Sequence, residues 1–186
     1  MIKPFKLLII YSTVLFFSGC NTTPLKYTLD PEFSYLEDLG QGVEMVAVKV
    51  TDNRQRFDGG NGIQGPSDVA GKLKNRLVEK LQQHGYKIIN KPLLADIAYE
   101  LEINELSLVV NKSMLKSLIS GKSNITFTVR KHSEFKTKIF SATKTQEVAN
   151  PTNDLDVTGV VNQMLSSLFA NMFSDPQITK FTRKSQ

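Results

Sequence analysis

A chain of 186 residues, 40% apolar and 22% charged, has the makeup of an ordinary globular protein with one domain and a proper core. A single cysteine excludes an internal disulfide and any cysteine-based metal cluster, and the histidines His84 and His132 share no ligand spacing. Of the formal charge of +5, two units come from Lys3 and Lys6; the remainder, 21 basic against 18 acidic residues, is too mild for a nucleic-acid stripe.

Residues 1–19 read as an export signal: Lys3 and Lys6, an apolar-rich run from Leu7 to Phe17, then the small pair Ser18-Gly19. That run of 11 residues suits a signal core, whereas a bilayer-spanning helix needs about 20. It ends in "FSGC", and small residues directly before Cys20 resemble the lipobox of bacterial lipoproteins, with Phe17 where Leu is usual. The resemblance implies cleavage before Cys20, a diacylglycerol on its sulfur and an acyl chain on its new amino group. One chain binds reversibly at about 0.8 kcal/mol per buried methylene, and several hold essentially permanently. Asn21 follows; an Asp there would resemble an inner-membrane retention signal, so Asn favours the outer membrane, facing the periplasm. The alternative is an ordinary secretory signal with an incidental cysteine.

Residues 20–42 read as the lipidated cysteine and a tether, with an r.m.s. span of about 25 Å if flexible. Tyr27, Leu29, Phe33 and Tyr35 would instead let part of it pair as an edge strand. Residues 43–186 form the globular domain. Val43 to Val50 is β-branched-rich and fits a buried strand. After a loop from Thr51 to Pro66, Ser67 is placed to cap a helix whose stripe is Val69, Leu73, Leu77 and Leu81, with Gly85 as its C′ residue. Gly71 inside that helix is unfavourable by up to about 1 kcal/mol against Ala. Tyr86 to Asn90 is a short strand, completing a crossover with parallel strands if they are adjacent.

From Ile97 the apolar residues fall at odd positions (Tyr99, Leu101, Ile103) and then at even ones (Leu106, Leu108, Val110). Side chains alternate with a period of two, so the switch implies a β-bulge near Asn104-Glu105 or a strand that crosses to another environment. Ile125, Phe127 and Val129, then Phe135, Thr137 and Ile139, alternate around "KHSE" as a hairpin. Its second face would carry Glu100, Glu102, Arg130, Lys136 and Lys138. Asn153 or Asp154 caps a last helix, whose apolar residues Val157, Val160, Val161, Met164, Leu165, Leu168, Phe169, Met172 and Phe173 step by three and four. That stripe belongs against a sheet or, alternatively, forms a partner groove; Asp175-Pro176 ends the helix. These elements predict an α+β fold: a mostly antiparallel sheet of four to five strands with two helices packed on one face. A β-α-β unit opens it and a β-hairpin precedes the final helix.

"GNGIQG" (Gly60 to Gly65) matches a dinucleotide fingerprint in letters only. Nine residues, Thr51 to Gly59, separate it from the strand, and the helix begins after the whole motif, so its N–H groups lie beyond the glycines. No nucleotide and no cofactor is expected. The loop's "TDNRQRFDGG" sets Asp52, Arg54, Arg56 and Asp58 around Phe57, a candidate interaction edge or a solvated loop. A second candidate is Lys112 to Lys122, where Met114/Leu118 and Leu115/Ile119 are spaced i, i+4 beside lysines: a partner-docking segment, a membrane-surface segment or a flap over the core. No arrangement of nucleophile, acid–base pair or metal ligands suggests an enzyme; Glu100 and Glu102, on one strand face, fit cross-strand ion pairs.

Beyond Cys20, the strand and loop "VAVKVTDNRQ", the segments "LVEKLQQHGYKI" and "ADIAYELEINELSL", and the ending "VVNQMLSSLFANMFSDPQITKFT" resemble the YajG-type lipoproteins of Gram-negative bacteria. The resemblance implies an address and a fold but no chemistry. The expected function is a non-catalytic, lipid-anchored binding or scaffolding accessory, with the bilayer and an envelope protein as partners. The alternative is a small-ligand or glycan-fragment binder that stacks its ligand on Phe57, Tyr86 and Tyr99.

Overall fold

The computed structural model describes residues 24–36, 45–54 and 63–182. Strand β1 (Leu25–Lys26) pairs in parallel with β3 (Ile63–Gln64) as a two-stranded ribbon. The main sheet has the order β4-β2-β5-β6-β7, from β2 (Met45–Asp52), β4 (Lys87–Ile88), β5 (Ile97–Lys112), β6 (Lys116–Lys131) and β7 (Glu134–Ala149). Helix α1 (Val69–Gln83) links β2 to its parallel neighbour β4, while the three long strands form an antiparallel meander. Helix α2 (Asp154–Phe173) and the short α3 (Pro176–Thr182) complete an α+β architecture.

Local chemistry accounts for the element ends. Asp68, not Ser67, caps α1, accepting the Gly71 N–H at 2.7 Å. The cap also explains the glycine: a Cβ at position 71 would stand 2.0 Å from an Asp68 carboxylate oxygen. The stripe Val69, Leu73, Leu77 and Leu81 is buried, and Gly85 takes the left-handed φ of 86° that a C′ residue requires. At α2, Asn153 and Asp156 form a reciprocal capping box, and all nine residues of the expected stripe are buried. Where α2 crosses β6, Met164 passes 3.0 Å from the Cβ position of Gly121, so a side chain at that strand site would require Met164 and Leu108 to give by a few tenths of an ångström.

The core joins this stripe to Tyr99, Leu101 and Ile103 of β5 and Ile125, Phe127 and Val129 of β6. Phe127 and Tyr99 meet Phe173 edge-on at ring-centroid distances of 5.5 and 6.4 Å. The bulge in β5 lies between Ile103 and Glu105, where the change of apolar parity places it.

Strand β7 corrects the expected faces. Lys136 and Lys138 stand opposite Val129 and Phe127 and therefore share the helix-side face, while Phe135 and Ile139 point outward and are exposed. The reason is the edge position: long lysine stems cover the partly open flank of the core and bring their ammonium groups to its rim. Lys138 bonds Asp175 there and lies 5.7 Å from the Phe140 ring centre. Outside, Arg130 pairs with Glu100 at 3.0 Å and covers the Phe135 ring at 5.2 Å.

Asp175 also accepts the N–H groups of Gln177 and Ile178, opening α3. Burial pushes its carboxyl up, but the Lys138 ammonium and those N–H groups outweigh burial and hold it below the ordinary carboxylate range. A depressed folded value contributes stability above the unfolded value, lost as pH falls through the folded one. Asp175→Asn keeps a capping oxygen without the charge. Urea titrations should therefore show the wild-type advantage over this variant shrinking below about pH 4, where an unfolded Asp takes up its proton; parallel pH profiles would contradict the assignment.

Candidate functional site

Residues 24–36 do not form a free tether. They make an extended strap along α2, with the N–H groups of Lys26, Thr28, Asp30 and Glu32 donating to Asp154 Oδ1, Thr158 Oγ1, Asn162 Oδ1 and Ser166 Oγ at 2.8, 3.3, 2.9 and 2.8 Å. Asn162 returns a bond from Nδ2 to the Thr28 carbonyl. Two extended residues advance about 6.6 Å and four helical residues about 6.0 Å, so the two ladders stay nearly in step over four rungs. The odd-numbered side chains turn inward: Tyr27, Leu29 and Phe33 join the core, and Phe33 stacks on Phe169 at 4.3 Å. Asp30 pairs with Arg76 of α1 at 2.8 Å, and Tyr86 donates to the Leu36 carbonyl, so the strap is held from both helices. The alternation stops at Tyr35, which has a left-handed φ of 66° and is exposed, while Leu36 is buried. Partial strand pairing is thus confined to Leu25 and Lys26.

The strap fixes the root of the candidate loop. Arg54 forks onto Asp52 with two 2.7 Å bonds, and its guanidinium lies beside the Tyr27 phenol. The Asp52 carboxylate holds the Arg54 guanidinium still more firmly protonated. Burial pushes the Tyr27 phenol above its ordinary range, against the pull of Arg54. Gly65, the last glycine of the loop, lies under the Tyr27 ring: a Cβ there would stand 2.3 Å from the phenol oxygen. The Tyr27 N–H donates to the Gln64 carbonyl, so "GNGIQG" ends in structural pairing with the strap. The loop is also shorter than expected, since β2 continues to Asp52 and β3 occupies its far end. Arg56, Phe57 and Asp58 lie outside the described residues, as does Cys20.

The segment from Lys112 to Lys122 is not helical. It comprises the start of β6 and the β5–β6 turn at residues 113–115, closed by Ser113 donating to the Lys116 carbonyl through both N–H and Oγ at 2.8 Å. Asn150 clamps it from outside, donating from Nδ2 to Ser113 O at 2.6 Å and from its N–H to Leu115 O at 3.2 Å. Met114 and Leu115 are therefore displayed at the tip, 98% and 84% exposed. Leu118 is partly exposed on the outer face, and Ile119, on the opposite face, is fully buried with Val157 and Val160 and drops out of any contact surface. Tyr86 and Tyr99 are also buried, which removes two of the three rings expected to stack a small ligand. Among the described residues no three His, Cys, Asp or Glu side chains converge as metal ligands, and no helix is long and apolar enough to cross a membrane.

The uncharacterized-lipoprotein family model matches residues 38–183. The chain belongs to that lipoprotein family. No curated protein matches this lipoprotein. Among solved structures, protein XCC0632 from Xanthomonas campestris superposes with a TM-score of 0.50 at 13% identity, over 84% of this chain and 95% of its own, and shows a shared fold. Hypothetical protein CT253 from Chlamydia trachomatis (TM-score 0.47, 14% identity, 75% and 98% coverage) is also similar. So is rare lipoprotein B from Shewanella oneidensis (0.37, 11%, 73% and 92%), and neither carries a functional argument.

The missed feature, the strap, has a sequence signal: Asp154, Thr158, Asn162 and Ser166, four short acceptor side chains spaced by four on a helix otherwise dominated by apolar residues. A raised Tyr27 phenol contributes stability that is present below the unfolded value, about pH 10, and lost as pH rises through the folded value. Wild type should therefore lose stability faster than Tyr27→Phe above about pH 10 in urea titrations. Equal alkaline slopes would show that the phenol is not confined by the strap.

Proposed function

We propose that this lipoprotein is a non-catalytic accessory of the cell envelope, held on the outer membrane through acylated Cys20 and engaging an envelope protein through the loop rooted at Asp52 and Arg54. One observation carries the reading: the chain is already part of the docked strap at Pro24, four residues after Cys20. A leash of that length reaches at most about 14 Å, so an anchor at Cys20 would hold the body against the bilayer. The Asp52–Arg54–Tyr27 node supports the loop's role, because it fixes the base from which Arg56, Phe57 and Asp58 continue. The absence of catalysis is supported by how the described carboxylates are engaged. Five of them, Asp52, Glu100, Glu105, Glu147 and Asp175, face an Arg or Lys in ion pairs.

Photo-crosslinking in intact cells tests the reading, with the reactive side chain at Phe57 or Asp58 and, as control, at exposed Asn75 on α1. The expected result is one common protein adduct from 57 and 58 that position 75 does not give, on chains whose mass includes the fatty acyl groups. Adducts from none of the three positions, or the same adducts from all, would overturn it.

A further inference from the structure

Leu25, Met114, Leu115 and Leu155 come from three separate stretches of the sequence and lie at one end of the body. The strap enters there, since Lys26 N–H bonds Asp154 in the first turn of α2. Leu155 in that turn is 80% exposed. The β5–β6 turn is tied to the same place by Asn150, whose side chain bonds Ser113 and Ser117 while its N–H bonds Leu115 O. Beneath them lies a small apolar cluster of Ile119, Val157 and Val160, packed with Leu25, Ile63 and Val148. The end is therefore firm, and its outermost side chains are large and apolar. The opposite end, at the His132-Ser133 turn, is about 50 Å away along β6, a strand of 16 residues.

We propose that this end is seated in the phospholipid surface, with Met114, Leu115 and Leu155 in the headgroup–acyl boundary as a second attachment beside the acylated cysteine. The inference rests on the lipid-anchor reading above. Length decides the occupant: four residues of chain from Cys20 to Pro24 reach at most about 14 Å, and Pro24 adjoins the strap entry at this end. An acylated Cys20 would bring this end, and no other, to the bilayer, where apolar tips settle about 5–10 Å deep. A protein partner or a second copy would have to displace lipid already within reach. Charge refines the chemistry. Lys26, Lys112 and Lys116 are balanced by Glu147, Asp154 and Asp156, with Lys116 paired to Glu147 at 2.6 Å, so insertion is apolar and calls for no anionic lipid. The body would then stand on the membrane along the strand direction, with the His132-Ser133 turn farthest from it.

The native acylated chain provides the test, because its Cys20 sulfur is a thioether and a new cysteine is the one free thiol. Met114→Cys and, as control, Ser133→Cys carry a nitroxide, each at an exposed turn where substitution leaves the core intact. The chains are placed in vesicles of phosphatidylcholine, with and without phosphatidylglycerol. The expected result is that position 114 collides more with oxygen and much less with a water-soluble nickel chelate than position 133, equally in both lipids. A label at 114 as open to nickel as one at 133 would overturn the proposal and leave the anchor standing. So would protection that needs phosphatidylglycerol, or label–label broadening abolished by dilution with unlabelled chain, which would mark a second copy as the occupant. Uptake of the thiol reagent by the unsubstituted chain would overturn the anchor and the proposal together.

Discussion

Four backbone N–H groups of an extended strap donate to four side chains of one helix, and the position of the whole N-terminal segment depends on that ladder. An extended chain has nowhere to place its N–H groups unless a second strand or a set of acceptors runs beside it. Here Asp154, Thr158, Asn162 and Ser166 take the place of a strand, because helix and strap repeat at nearly the same distance. With every second residue held outward, Tyr27, Leu29 and Phe33 point into the core, and Phe33 completes the aromatic cluster of Tyr99, Phe127, Phe169 and Phe173. Burying a ring of that size contributes about 1.5–3 kcal/mol, more than one neutral hydrogen bond adds net. Four rungs, one of them to the Asp154 carboxylate, add up to a comparable amount, so the ladder sets the register and shares the holding force with the aromatic residues.

The functional picture follows from the same contact. A free tether would let the body wander, and its surfaces could face any direction. The docked strap is in place by Pro24, four residues after Cys20, and under the proposed anchor this fixes which end of the body the anchor holds. Under the proposed lipid anchor, orientation relative to a membrane would be a property of the fold: a firm apolar tip at the strap end, a loop rooted by Asp52 and Arg54 on the flank, and β7 at the edge of the sheet.

The sequence disclosed those parts of the fold in which side-chain period and burial agree. The nine-residue stripe of α2, the Leu73/Leu77/Leu81 stripe of α1 and the parity switch at Asn104 each follow from one buried face. Lys136 and Lys138 broke that logic because an edge strand lets lysine stems serve as partial core. Met114, Leu115, Leu118 and Ile119 are spaced by four, which in so short a segment fits a helix as well as the turn followed by a strand that they occupy. The candidate site was less legible still. Asp154, Thr158, Asn162 and Ser166 look like the solvated face of an amphipathic helix until the strap covers them, and nothing local announces the covering chain. Asp52 and Arg54 carry the pattern of a binding edge, yet they pair with each other beside Tyr27, so part of that signal is structural.

Amide hydrogen exchange across residues 24–36 of the acylated chain tests the ladder most directly. The account predicts that the N–H groups of Lys26, Thr28, Asp30 and Glu32 exchange as slowly as those in the middle of α2, since strap and helix open together. Exchange at unstructured-chain rates at those four positions, with α2 still protected, would contradict it.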